Sequence, residues 1–337
     1  MLAAAHTAPA LVRAAACMAA AAALACGGAR RAAPAEQREE PVTAAERLLA
    51  MLPQGAQVVI EIDLARLRAN PVVGEVVTRA LAERVADLPA GVPASPLAAA
   101  DRMVLAAYGV GTAQAATLTL LEAPHDIDGA TRLADGVYAV GPPDWIDQAQ
   151  QRVSLASTGE RKFAIHPPAE LLELRRHAMP DKAPGASLRI TARLPFDARV
   201  ALAHETGLDA APAQLSAWAD VVDDLALIVD CDAADPGSGD RRRPSDAPRR
   251  LEAALRGALS AVADQPIIRA LGLPASLAGA KLVARGSWVR MIIAIGPDRL
   301  QRVVQRAAAL LRDADRNATH ATDPTSSAVP PRGAHPP

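Results

Sequence analysis

Residues 57–63 read Q-V-V-I-E-I-D, with Val58, Ile60 and Ile62 alternating against Val59, Glu61 and Asp63. A period of two over β-branched residues predicts a strand with one wholly apolar face. A short helix over 45–51, ended by Pro53, precedes it. Over 64–85 the period changes: Leu64, Leu67, Val72, Val73, Val76, Val77 and Leu81 form a helical stripe, and Pro71 predicts a break into two helices. A Pro- and Ala-rich loop over 88–99 leads to strands over 102–108 and 116–122, joined through Gly109-Val110-Gly111. The next expected elements are a short helix over 126–133, a strand over 137–140 and a helix over 144–153. A hairpin about Gly159 (154–158 with 161–166) and a helix from Pro168 to His177 follow.

The strongest later alternation is S-L-R-I-T-A-R-L, a strand over 187–194. Helical patterns are read over 198–204 and 212–219. The run L-A-L-I-V-D-C over 225–231 is mostly apolar and predicts a strand buried on both faces. A polar loop over 233–249 contains Arg241-Arg242-Arg243. A long amphipathic helix over 250–271, a hairpin of 281–285 with 288–295 about Gly286, and a helix over 298–311 complete the body. The polar, Pro-containing residues 312–337 are expected to be disordered. The order β-α-β-β-α begins with the strand at 57–63 and again with that at 225–231. The expected fold class is therefore α+β, antiparallel sheet covered by helices, arranged as two β-α-β-β-α lobes over 44–180 and 181–311. Chance recurrence of the order is the alternative.

The amino-terminal segment has a different character. Residues 14–25 carry no charge, follow Arg13 and consist mostly of Ala. Twelve residues are too few to span a bilayer, which needs about 20, but suit a signal-peptide core of roughly 7–15. The run ends Ala23-Leu24-Ala25-Cys26-Gly27. This resembles the lipobox of bacterial lipoproteins, in which a leucine and small residues precede a cysteine. The departure is Ala23 at the position that usually holds Leu, with Leu24 one place late. The resemblance implies a diacylglyceryl group on the Cys26 thiol, cleavage of the signal peptide 1–25, and N-acylation of the new terminus. Cys17 lies too close to Arg13 to serve. An ordinary secretory peptide cut after Ala25, and a cytosolic Ala-rich helix, are the alternatives. Two or three acyl chains, at about 0.8 kcal/mol per buried CH₂, hold a protein at a bilayer durably. Residues 26–43, small and charged without apolar period, read as a flexible tether.

The start of the body is similar to a class of uncharacterised bacterial envelope lipoproteins. These open with Leu-Pro, a β-branched strand, Asp-Leu and an Arg-bearing helix, here Leu52-Pro53, Val58 to Ile62, Asp63-Leu64 and Arg66-Leu67-Arg68. That class implies no activity.

Composition narrows the functions open to the body. Among 337 residues, aromatics make up 2% and the net charge is −1. Stacked rings for sugars or single strands, and the basic excess that nucleic acid requires, are both lacking. Once Cys17 is removed and Cys26 is acylated, only Cys231 remains. The mature monomer then has no internal disulfide and must hold together by burial. Cys231 itself is expected to be a buried structural thiol.

The best catalytic candidate is Asp230-Cys231-Asp232. It resembles the Asp-x-Asp of haloacid-dehalogenase-type phosphatases and of metal-using glycosyltransferases, which implies a divalent ion held between carboxylates. The phosphatase pattern continues with Thr, and Ala234 stands there. A calcium loop counted from Asp230 fails, with Asp235 and Arg241 where Gly and Glu are needed. Glu61 and Asp63 share a strand face; Glu61 is expected on the solvent side and Asp63 as a helix cap. Gly109-Val110-Gly111 lacks the third glycine and the helix of a dinucleotide loop, and reads as a hairpin turn. His125, His166, His177 and His204 show no metal-ligand spacing.

These readings converge on a lipid-anchored cell-envelope protein, attached through Cys26, with a non-catalytic role in binding or assembly and no cofactor, metal or nucleic-acid partner. Gly27, in place of the Asp associated with inner-membrane retention, points to the outer membrane. The alternatives are a metal-dependent hydrolase using Asp230 and Asp232, and a carrier of an apolar ligand.

Overall fold

The alternation at the start of the body builds β1 (Val58–Asp63), which becomes one of two central strands. The computed structural model describes residues 44–83, 94–157, 169–178, 185–206, 211–233 and 246–321. Nine further strands join β1: β2 (Arg102–Tyr108), β3 (Ala116–Glu122), β4 (Thr131–Ala134), β5 (Val137–Val140), β6 (Leu188–Arg193), β7 (Gln214–Val221), β8 (Leu225–Asp232), β9 (Lys281–Arg285) and β10 (Trp288–Ile295). They form one sheet in the order β4-β5-β3-β2-β1-β6-β7-β8-β10-β9, with every neighbouring pair antiparallel. The fold is α+β.

Helices cover both faces. Along one face a continuous apolar row runs from Leu105 through Ile60, Ile190, Ala217 and Val229 to Met291. Most of this face packs against α3 (Gly74–Glu83), α8 (Ala247–Ala263), α9 (Pro266–Leu271), α10 (Pro274–Ala278) and α11 (Pro297–Ala321), through residues such as Val73, Val76, Leu251, Ile268, Leu277, Leu300 and Val303. At the β2–β5 end it packs against Leu64 of α2 (Leu64–Ala69) and Leu97 of α4 (Ala94–Ala99). The second face has a wholly apolar core only on the β2 side of β1. There Val59, Val104, Ala106, Leu118 and Leu120 meet Leu48 and Leu49 of α1 (Ala44–Met51), Leu52 just after it, and Ala149 of α5 (Pro143–Ser157). Leu48, Leu49 and Leu52 are fully buried, each contributing about 2 kcal/mol of transfer free energy. Beyond β1 the same face becomes mixed, its buried polar side chains flanked by Trp218, Ile228 and Ile292, and α6 (Ala169–Arg176) lies over it. The remaining helix, α7 (Phe196–Thr206), follows β6.

Local chemistry explains several boundaries. Asp63 accepts the Arg66 amide at 2.8 Å and caps α2, as expected. The turn before α3 is held by Asn70, whose Oδ1 accepts the amides of Val72 (2.8 Å) and Val73 (3.1 Å). Gly109 (φ 58°) and Gly111 (φ 83°) make the β2–β3 turn, where the Cβ of any other residue at 111 would meet the Ala198 backbone at 3.0 Å.

Other expectations differ from the structure. The helix expected over 212–219 is strand β7, because Leu215, Ala217, Ala219 and Val221 alternate onto the apolar face. The helix expected over 126–133 ends as strand β4, paired with β5. The first part of the hairpin expected about Gly159 is helical, since α5 runs to Ser157; the rest lies outside the described residues. Helix α4 occupies the end of the expected loop over 88–99. The single helix over 250–271 is two, divided before Pro266, which lacks the amide that continuation would need. Helix α11 continues to Ala321.

The two expected lobes share one sheet. Read outward from the β1–β6 seam, the strands run 1-2-3-5-4 on one side and 6-7-8-10-9 on the other. The recurrence expected to begin at 57–63 and 225–231 is therefore out of phase, since β6 holds the place of β1 and β8 that of β3.

Candidate functional site: the polar half of a sheet face

Alternation in register sets Glu61 of β1, Arg189 and Thr191 of β6, Ser216, Trp218 and Asp220 of β7, Asp230 and Asp232 of β8, and Trp288 and Arg290 of β10 on one face. Of these, Trp218 and the polar residues Glu61, Arg189, Thr191, Ser216, Asp220 and Asp230 are buried. A buried charge left unpaired costs several kcal/mol, so the arrangement of partners decides whether this face can exist.

Glu61 and Ser216 find partners on α6 and the turn after it; Asp230 and Asp220 find theirs elsewhere. Arg175 grips Glu61 with both prongs, Nε to Oε1 at 2.7 Å and an Nη to Oε2 at 2.8 Å; each side chain is 7% exposed. Another Nη of Arg175 lies 3.6 Å from Glu46. The Ser216 hydroxyl accepts the Ala178 amide and donates to the Arg175 carbonyl, both at 3.4 Å. Arg290 donates to both oxygens of Asp230, at 2.8 and 2.7 Å, and to the His177 carbonyl at 2.9 Å. The His177 ring stacks on Trp288 with centroids 4.0 Å apart and planes 16° from parallel. The helix is thus fastened to the sheet by charge-assisted bonds, with Leu174 as its buried apolar anchor. Towards the far end of the face, Arg66 grips Asp220 (2.9 and 2.6 Å), which also accepts the Ser187 hydroxyl at 2.9 Å.

The face is filled rather than hollow. Beside α6 lies a pocket of ≈ 80 Å³, bordered by Leu52, Pro53, Leu171, Leu174, Thr191 and Arg193. Small-molecule sites run to about 300–1,000 Å³, so this pocket admits a few waters.

The sequence candidates fall into place as follows. Glu61 was expected on the solvent side; the structure buries it, because α6 covers the strand face it occupies. Asp230 and Asp232 do share one strand face, but the Asp230 carboxylate has both oxygens held by Arg290. Cys231 points to the opposite, apolar face and is 1% exposed. Burial, then the neighbouring Asp230 charge, pushes its thiol up to about 12. No group of three metal-capable side chains occurs among the described residues. His125 is exposed and His177 is stacked; His166, the side chain of His204, Arg241 to Arg243, and everything through residue 43, Cys26 included, lie outside the described residues. Sequence reasoning missed Arg175, Ser216 and Arg290. The period-two alternation of 214–221 was the available signal for Ser216; nothing local marked the two arginines.

No family model and no curated protein matches the chain. Among solved structures it is similar to two crystal forms of TP0453, a treponemal protein. Form III aligns with TM-score 0.39 at 9% identity, covering 76% of this chain and 96% of that one. Form I aligns with TM-score 0.40 at 9% identity, covering 80% and 100%. Likeness of this degree carries no argument about the site.

Proposed function

We propose that the protein is a lipid-anchored component of the cell envelope, held at the outer membrane through Cys26, and that its body binds or assembles rather than catalyses. The observation that carries the reading is the uncharged run 14–25 ending in Leu24-Ala25-Cys26. The geometry of the body is consistent with a binding role. Glu61 and Asp230 are engaged by guanidinium groups, and the pocket beside α6 is too small for an ordinary metabolite. A divalent ion at Asp230 would have to displace Arg290 from both carboxylate oxygens, which weighs against the hydrolase reading. No helix among the described residues is long and apolar enough to cross a membrane. Growing cells with an alkyne-tagged fatty acid tests it: the wild-type chain takes the label and Cys26→Ala does not. An unlabelled wild type, or equal label on Cys26→Ala, refutes the anchor.

A further inference from the structure

The ten-stranded sheet ends in two strands of unlike construction. At one end β4 is four residues long, and its pairing with β5 slips between Arg132 and Ala134. Arg132 is neutralised locally by Asp135 at 2.7 Å, and Arg47 donates to the Asp135 carbonyl at 2.8 Å. A short, bulged, self-neutralised strand is a blunted edge. At the other end β9 pairs with β10 in unbroken register over five residues, and no described strand or loop bonds to its outer side. The register places Lys281 beside Ile292, Val283 beside Arg290 and Arg285 beside Trp288. The three alternate residues of β9 therefore stand on the polar face in the order cation, apolar, cation. All three are exposed, Val283 at 44%. Lys281 and Arg285 form no ion pair or hydrogen bond among the described residues.

We infer that β9 is a docking edge for an extended acidic segment of a partner protein, which adds to the sheet as an eleventh strand. The segment carries an acid, an apolar residue and an acid at alternate positions, opposite Lys281, Val283 and Arg285. Main-chain bonds supply affinity in such an addition and the alternate side chains supply selection. A second copy of this chain does not fit. Antiparallel self-pairing centred on Val283 sets Lys281 opposite Arg285, and like charges directly opposite each other are unfavourable. Charged residues on an edge also deter aggregation, but β4 achieves that with a bulge and an internal partner, whereas β9 keeps a regular ladder with two unneutralised cations. The inference deepens the binding role proposed above and is independent of the anchor at Cys26.

The probe is a fluorescein-labelled peptide, Thr-Glu-Thr-Val-Thr-Glu-Thr, titrated into the full chain in detergent and followed by anisotropy. Two control peptides accompany it, one with Lys for both Glu and one N-methylated at alternate amides. The Glu peptide should bind, the Lys and N-methyl peptides should not, and the double variant Lys281→Glu/Arg285→Glu should weaken the Glu peptide by roughly tenfold or more. That variant should also gain the Lys peptide, which separates loss of the site from loss of the fold. The inference is overturned by no binding up to millimolar peptide, or by binding that survives N-methylation or charge reversal. Dimerisation through β9, seen by sedimentation and abolished by the double variant, would also overturn it. So would charge-dependent binding of this edge to phosphatidylglycerol vesicles without peptide binding, which would assign the face to lipid. Fatty-acid labelling of Cys26 is read separately, so either result stands without the other.

Discussion

Replacing Glu61 by Leu removes the acid to which Arg175 is bound at 2.7 and 2.8 Å. It leaves a guanidinium that is 7% exposed, with Glu46 at 3.6 Å as its nearest remaining acid and Arg189 on the strand opposite. Breaking a buried pair in this way costs about 3–5 kcal/mol; Glu46 offsets part of it, so about 3 kcal/mol is expected. For a body of this size that is a fall of roughly 6–12 °C in Tm. Arg175→Met should cost less, about 2 kcal/mol, because Glu61 keeps Arg189 directly across the ladder. The double variant Glu61→Leu/Arg175→Met removes both members of the bonded pair, leaving only Arg189 without its cross-ladder acid, and should lie closer to wild type than Glu61→Leu alone. Thermal unfolding of the four proteins by circular dichroism measures the cycle. Losses that simply add, or a larger loss for Arg175→Met than for Glu61→Leu, would refute the reasoning.

Asp224 sits in the β7–β8 turn with one buried carboxylate oxygen that has no hydrogen-bond partner, and burial, then the Asp223 charge, raises its pKa. A raised carboxyl pKa favours the protonated form in the folded state, so the penalty is absent in acid, grows as pH rises from the ordinary carboxylate value to the raised folded one, and is constant above it. Asp224→Asn should therefore raise Tm at neutral pH, with the gain shrinking towards acid; a constant or inverted difference contradicts this. Cys231, its thiol pushed up to about 12 by burial, should resist a thiol reagent at pH 8 in a Cys17→Ser/Cys26→Ser chain until denaturant unfolds the body. Stoichiometric labelling of the native chain within minutes would contradict that.

Elements with a clean period were legible from residues alone. β1, β6, the Asp63 cap of α2, and the β9–β10 hairpin all stand where alternation and turn residues placed them. β7 was misread because Ala217 and Ala219 are good helix formers, and pairing with β6 and β8 overrides that preference. The polar face was illegible for a different reason. Glu61 looks like a solvent residue on an amphipathic strand until a helix more than a hundred positions later brings Arg175 to it. Such pairing is non-local, and no window of sequence contains it. The role of Arg290 is hidden likewise, since Asp230 is sixty positions away in the chain and directly opposite in the ladder.

The seam between the two halves sets opposite charges in register on its polar face. β1 and β6 meet with Ile60 opposite Ile190 on one face and Glu61 opposite Arg189 on the other. A slip of one residue would turn Glu61 towards the apolar core and bring Ile60 and Ile62 to the polar face. A slip of two would keep the faces but set Glu61 opposite Ser187 or Thr191 in place of Arg189. Apolar alternation alone forbids the first error and is indifferent to the second, since Val58, Ile60 and Ile62 are near-equivalent. The charges discriminate where the hydrophobic pattern does not. On this argument Glu61, Arg175 and Arg189 set the alignment of one half on the other more than they add stability, a role for buried ionic groups best attested where register must be fixed. The double variant Glu61→Leu/Arg175→Met should then unfold at a temperature near that of wild type yet with a broader transition. Amide exchange should show the β1–β6 ladder protected less than β7–β8, whereas uniform protection would mean that packing alone sets the register.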